Sequence, residues 1–286
     1  MDDPRELRRL LAWYVEAGAD EAIGTVPRDR RTVAAAAVAP PPEPAAAPVA
    51  AKPAPPPVRP ALPPAVRPAA AQGVLVPADA AARTAATLAA ACPDLPSLAK
   101  ALAAFEGCAL RLTATNLVFG DGNPNAKLML IGEAPGADED REGRPFVGAA
   151  GQLLDRMLAA IGLDRTSVYI TNILPWRPPG NRTPTANEVT VCLPFLRRHI
   201  ELVNPKVLVV VGGTSASALL GVGDGITRLR GRWQLYRGAP GNERPPIPTM
   251  PIFHTAYLLR TPAKKREAWH DLLTIKQRLA AETAGN

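Results

Sequence analysis

The sequence predicts a three-layer α/β/α fold around a central four-stranded parallel sheet. Three observations carry that expectation. Short apolar runs alternate with helical periodicities from about residue 80 to the C-terminal region. The runs at 127–131 (Lys-Leu-Met-Leu-Ile) and 206–211 (Lys-Val-Leu-Val-Val-Val) are apolar without alternation, as strands buried on both faces are. Strands separated by helical segments call for right-handed βαβ crossovers, and hence for parallel pairing covered on both faces.

Taken in order, residues 4–17 place Leu7, Leu10, Leu11 and Tyr14 on one stripe of a short helix, with Pro4 in its first turn and Gly18 as a stop. A lone helix this short is marginal in water. It is expected to dock, either on a protein partner or back on the folded region. Between Pro40 and Pro68, 13 of 29 residues are proline and most others alanine or valine. Such a stretch makes neither helix nor ladder hydrogen bonds and reads as an extended, semi-rigid linker. The expected organisation is a helical segment over 1–26, a linker over 27–76 and a folded domain over 77–286.

Within that domain, helices are predicted at 80–91 and 96–106, then a strand at 127–132. A helix at 149–161 follows, with Leu153, Leu154, Met157, Leu158 and Ile161 on one face. The remaining elements are strand 167–174, helix 187–203, strand 206–212, helix 214–220, strand 248–254 and helix 263–281. No internal repeat is visible.

The net charge is +7. Residues 1–77 hold nine Lys and Arg against eight Asp and Glu, which leaves +6 on residues 78–286. The excess concentrates at Arg228, Arg230, Arg232 and Arg237 and at Arg260, Lys264, Lys265 and Arg266. A polyanionic partner accounts for it, and so does a basic surface that only confers solubility. No apolar run reaches 18 residues, and the opening Met-Asp-Asp-Pro lacks a charged-then-apolar leader, so no membrane association is expected. Three cysteines argue against a disulfide scaffold and for a reducing cytoplasm.

The strand at 127–131 runs into Gly132-Glu133-Ala134-Pro135-Gly136-Ala137-Asp138-Glu139-Asp140, followed by Gly143-Arg144-Pro145-Phe146-Val147-Gly148. This loop sits at the carboxyl edge of the sheet, where open α/β folds bind ligands. Its spacing is neither G-x-G-x-x-G nor the P-loop pattern, and no phosphate fingerprint follows any strand, so a nucleotide cofactor is not expected. Together with Thr171-Asn172 and Phe253-His254, the loop resembles the uracil-DNA glycosylase superfamily, and within it family 4. The likeness extends over nearly all of residues 95–280.

That resemblance implies hydrolysis of the N-glycosidic bond of uracil in DNA, leaving an abasic site in base excision repair and releasing free uracil. Such chemistry needs the base out of the stack. It also needs an aromatic face, an amide matching the base edge, and donors where negative charge develops. By resemblance Phe146 stacks on the flipped uracil, although a lone aromatic is more often core. Asn172 offers one acceptor and two donors, a match to uracil N3–H and O4 and a mismatch to cytosine; as an isolated residue it would more often cap a turn. His254 is implied to donate to the O2 of the leaving base, with Thr255 where the family usually has proline. The aspartate of the superfamily's best-known branch is absent, Ala134 standing in its place, so Glu133 is the candidate carboxylate for water or the sugar cation. Glu139 is expected near uracil C5, obstructing a thymine methyl. Backbone N–H groups around Glu133, Ala134 and Gly136 are expected to bond the base, and Asp138 and Asp140 to cap the next segment. Arg228, Arg230, Arg232 and Arg237 form the implied DNA-facing stretch, with Arg177, Asn181 and Arg182 contributing.

Family 4 glycosylases typically bind a [4Fe–4S] cluster through four cysteines. The matching positions here hold Phe105, Cys108, Trp176 and Cys192, with Cys92 outside the pattern. Two thiolates do not hold such a cluster, so no iron–sulfur cofactor and no metal are expected, with Phe105 and Trp176 filling its space. Further expectations are a monomer, a cytoplasmic, nucleoid-associated location, and a possible protein partner for the N-terminal helix. The alternative function is a uracil- or abasic-site-binding repair module with weak turnover.

Overall fold

In the computed structural model the described residues are 78–284, except 240 and 242. The chain separates into two units, Met1–Pro68 and Ala69–Asn286, and the described residues belong to the second. The helix expected at 4–17 and the Pro/Ala-rich linker lie outside the described residues.

Four strands form the centre of the sheet: β2 (Leu128–Gly132), β3 (Tyr169–Asn172), β4 (Val207–Val211) and β6 (Ile247–Ile252). They pair in parallel, in the order β3-β2-β4-β6. Two short strands extend the expected four to six. β1 (Asp121–Gly122) pairs antiparallel with β3, and β5 (Gln234–Tyr236) pairs antiparallel with β6. Strands of two and three residues carry too little alternation to be read from sequence.

Side chains alternate across the sheet and feed a separate apolar cluster on each face. Met129, Ile131, Leu208 and Val210 pack under α1 (Ala78–Ala90), α2 (Leu95–Ala104), α5 (Ala186–Val203) and α6 (Gly213–Leu220). Leu128, Leu130, Val207 and Val209 pack under α4 (Ala149–Ala160), α8 (Thr255–Arg260) and α9 (Lys265–Ala284). Burial on both faces explains the unbroken apolar runs. Within the first layer, Ala81, Ala85 and Ala89 form a flat stripe that lets α1 pack against α5.

Three short helices were not predicted: α3 (Ala137–Glu142), α7 (Ile226–Leu229) and α8. The last strand also ends two residues early. Ile252 closes β6, and His254 is the N-cap of α8.

Chain order fixes where a ligand can sit. From β2 the chain passes through α4 to β3 on one side, then through α5 to β4 on the other. The connections leaving β2 and β4 therefore diverge over opposite faces. That opens a crevice at their carboxyl ends, the topological switch point of an open α/β sheet.

Candidate active site

A cavity of about 460 Å³ occupies this crevice. Its wall takes Glu133, Ala134 and Gly136 from the loop after β2, Phe146 from the loop before α4, Asn172 from β3 and His254 from beyond β6. Gly132 is what lets these groups meet. A Cβ there would lie 2.3 Å from Asn172 Oδ1 and 2.7 Å from the Phe146 ring, so no larger residue fits. The ends of β2 and β3 are locked together by Ile173 N–H to Gly132 O (2.9 Å) and Leu174 N–H to Glu133 O (3.0 Å).

Asn172 is 6 % exposed, and its carboxamide makes no hydrogen bond to any described residue. Buried amides are normally satisfied within the protein, so one left open at a cavity wall is available to a ligand. Phe146 adopts φ 54°, a left-handed conformation that a bulky residue rarely takes. Its ring lies near-parallel to His254, with centroids 5.9 Å apart and planes 28° from each other.

His254 Nδ1 accepts from Ala256 N–H at 3.1 Å, which leaves the ring proton on Nε2. Burial pushes the imidazole pKa below its ordinary value, with the Glu133 charge opposing, so the ring is neutral at neutral pH. Gly212, at φ 103°, allows the turn after β4 to lie against it; a Cβ there would be 3.3 Å from His254 Cβ. Glu133 lines the same cavity, and its carboxylate has no hydrogen bond or ion pair among the described residues.

Glu139 lines the same cavity, and its carboxylate is already engaged by the protein. Its carboxylate accepts from Gly136 N–H (3.0 Å), Val147 N–H (2.9 Å) and Gly148 N–H (2.9 Å), clamping α3 to the Phe146 loop. With its oxygens engaged in this way, it braces the loop. The Gly136 N–H is consumed by the same contact and is not free for a base. Asp140 does not cap the following helix either. It reaches back to accept from Thr115 N–H (2.8 Å) and Asn116 N–H (3.2 Å). Asp138 does sit in the first turn of α3.

The six arginines expected at DNA separate into groups. Arg182 stands on the cavity rim and holds Glu188 with both nitrogens (2.6 and 2.9 Å), which lowers the Glu188 pKa to about 2. Glu188 in turn closes the capping box of α5 with Thr185. Arg177 is tied to Asn181 (2.7 Å), and Asn181 lines the cavity. Arg228 is 83 % exposed, and Arg232 is exposed just before β5. Arg230 does not face solvent. It chelates buried Asp271, donates to Glu267 O (2.7 Å) and lies over the Phe253 ring, which makes it an internal tie between α7 and α9. Arg237 follows Tyr236, which pairs with Ile247 at the start of β6, so it lies toward the opposite edge of the sheet. Sequence reasoning also missed a rim residue: Arg260, grouped only with a basic cluster, lines the cavity at the end of α8.

Cys108 and Cys192 are neighbours, 3 % and 1 % exposed. The adjacent Cys108 thiol and burial hold Cys192 well above its ordinary pKa, so it stays a thiol. Phe105 and Trp176 are 4 % and 2 % exposed in the same apolar cluster, and Phe105 meets Phe195 edge-on at 5.1 Å. Cys92 is buried and donates to Leu88 O (3.2 Å). Among the described residues, no group of three or more His, Cys, Asp or Glu is placed to hold a metal. At the four positions that the resemblance matches to cluster ligands, the side chains are two thiols and two aromatic rings, a set that does not fit an iron–sulfur cluster.

Residues 119–273 match the family model described as the uracil DNA glycosylase superfamily. The chain is 40 % identical over 186 residues to a type-4 uracil-DNA glycosylase of Archaeoglobus fulgidus, covering 64 % of this chain and 92 % of that protein. It is 43 % identical over 154 residues to the type-4 enzyme of Thermotoga maritima, covering 54 % and 77 %. With the type-4 enzyme of Sulfurisphaera tokodaii it shares 39 % over 175 residues, covering 59 % and 78 %. Family match, sheet order and cavity position agree: the chain belongs to the uracil-DNA glycosylase superfamily and is similar to its family 4.

Proposed function

We propose that the protein is a monofunctional uracil-DNA glycosylase that hydrolyses the bond between uracil and deoxyribose, releasing free uracil and leaving an abasic site. The observation that carries this reading is the unpartnered Asn172 carboxamide, held in one cavity with the Phe146 ring and a neutral His254.

The flipped base enters against Phe146, whose face supplies stacking. Asn172 pairs with uracil N3–H and O4. As the glycosidic bond breaks, charge accumulates on the base, and His254 Nε2–H donates toward O2 from a fixed, largely buried position. Glu133 is the carboxylate free to steady the sugar cation or orient water. Glu139 acts indirectly, by holding the loop. Arg182, Arg260, Arg228 and Arg232 grip phosphates without reading sequence. The two-thiol, two-ring core site supports a protein with no resident iron–sulfur cluster. No helix among the described residues is long and apolar enough to cross a membrane. A monomer acting on chromosomal DNA in a reducing cytoplasm is the setting this reading implies.

The test is release of free uracil from labelled oligonucleotides carrying U:G, U:A, single-stranded U or T:G. Uracil should be released and thymine retained. Loss of one bidentate base contact costs about 1–3 kcal/mol, so Asn172→Ala should cut excision by roughly 5- to 150-fold. Full activity in that variant would refute the pocket assignment. Tight binding of uracil-containing DNA without release would identify a binding module.

A further inference from the structure

We propose that Arg165, which lies outside the cavity, is a positioning residue for uracil stacking and acts through the backbone of Phe146. The inference rests on the reading of Phe146 as the stacking residue. Phe146 holds its ring in the wall through the left-handed φ of 54°, and such a conformation persists only where its surroundings over-determine it. Downstream, the Val147 and Gly148 N–H groups are fixed by Glu139. The carbonyls on both sides of the Phe146 Cα are held by Arg165, through Nη1 to Pro145 O (3.1 Å) and Nη2 to Phe146 O.

Arg165 is itself anchored at every level. Nε donates to Asp155 on α4 (2.9 Å) and Nη1 to Asp121 on β1 (2.8 Å). Its backbone sits in a turn closed by Asp164, whose Oδ1 accepts from Thr166 N–H and Ser167 N–H, both at 3.0 Å. Two glycines make room for the arrangement. A Cβ on Gly122 would lie 2.2 Å from Val168 O and 2.8 Å from Arg165 O, so only glycine lets β1 bring Asp121 this close. A Cβ on Gly151 would lie 1.7 Å from Phe146 O, so only glycine lets that carbonyl turn toward the first turn of α4.

The residue type follows from the geometry. One planar guanidinium serves two carboxylates and two carbonyls at once, whereas a lysine ammonium has three donors on a flexible stem. The ring that meets the base is thereby tied to the edge strand, the following helix and the turn before β3.

A double-mutant cycle on the full chain tests this. The proteins are wild type, Arg165→Gln, Phe146→Ala and the double variant. The readouts are single-turnover excision and fluorescence of a 2-aminopurine beside the uracil, which reports extrusion. Base–aromatic stacking is worth roughly 5- to 150-fold, so Arg165→Gln should lower both readouts by about 10-fold. In the Phe146→Ala background the same change should cost less than about 2-fold, the non-additivity of residues acting as a unit. Affinity for abasic-site DNA should stay within about 2-fold, because no base remains to stack. Arg165→Lys should recover little.

Asp121→Asn combined with Asp155→Asn removes the ion pairs but leaves the carbonyl bonds. That variant should melt earlier and slow excision by no more than Arg165→Gln does, with the slowing likewise lost in the Phe146→Ala background. Additive losses in the cycle, full recovery with lysine, or a slowing by the Asp-pair variant that persists in full without the Phe146 ring would each overturn the assignment. Should Arg165→Gln fail to fold, the lysine variant takes its place in the cycle, where coupling to Phe146 supports the assignment and additivity overturns it. A wild-type protein that extrudes uracil without releasing it refutes the excision reading alone, since the fluorescence cycle still decides on Arg165. Absence of extrusion refutes both.

Discussion

A histidine donates to a developing anion only from a nitrogen that carries a proton, and the Ala256 N–H settles which nitrogen of His254 that is. Protonating Nδ1 would break this contact and charge a largely buried ring, which is why burial lowers the pKa from 6.5. The sign follows: the folded state favours the neutral form, so this contribution to stability is full above pH 6.5 and is lost as pH falls through the depressed pKa. Single-turnover excision should be flat above neutrality and decline on the acid side. His254→Ala should lose about 10²–10³ in rate and keep DNA affinity, since one preorganised donor to an oxyanion carries that much. Normal turnover at saturation with weakened binding would instead assign the residue to positioning. At this scale the sequence disclosed the groups that the fold brings to one cavity, Phe146, Asn172, His254 and Glu133, because they stand in a recognisable motif at the sheet edge. It did not disclose occupancy. That the Gly136 N–H is consumed by Glu139, and the Arg230 guanidinium by Asp271, depends on partners that only folding brings together.

The joint between β6 and α8 shows what an element boundary can cost. Thr255 is the first residue of α8, 0 % exposed, and its hydroxyl has no hydrogen-bond partner among the described residues. A buried hydroxyl left unpaired is a liability of about 1–3 kcal/mol. Proline fits this position in principle. The first helical N–H is unused by the helix, and His254 has φ −65° and ψ 136°, the extended geometry favoured before proline. Thr255→Pro should therefore raise the unfolding free energy by roughly 0.5–1 kcal/mol and leave excision intact. Denaturant unfolding reads the first and the uracil assay the second. A destabilised variant would mean that the threonine serves an unseen partner. Legibility of elements follows the same physics. The central strands, α4 and α5 stood out because burial on both faces or one apolar stripe writes a long pattern into the sequence. β1 and β5 did not, being edge strands of two and three residues. α3 was hidden because its first turn is acidic and its role is to seat Glu139, not to bury a stripe.

Across the whole domain, the positive charge is less concentrated on one face than its sequence clusters suggested. Arg230 is internal and Arg237 lies toward the far edge, while Arg260 joins Arg182 at the rim. Cofactor content turns on the core beneath α1, α2 and α5. Phe105, Cys108, Trp176 and Cys192 all belong to its apolar cluster, and none is more than 4 % exposed. Thiolate ligation at fixed geometry needs four sulfurs, and two of these positions carry rings. Large aromatics instead contribute buried contact area, so the core should hold itself together by packing. The purified protein should be colourless, lack the broad visible absorbance of an iron–sulfur cluster, and keep its melting temperature with a chelator present. Cys108→Ser with Cys192→Ser should leave excision in place and destabilise by about 1–3 kcal/mol, since hydroxyls replace buried thiols. Trp176→Ala should cost more, about 3–5 kcal/mol, because it opens a cavity in the cluster. A brown preparation with near-stoichiometric iron, lost in the double cysteine variant, would overturn this account and make Cys92 the sulfur to examine as a third ligand.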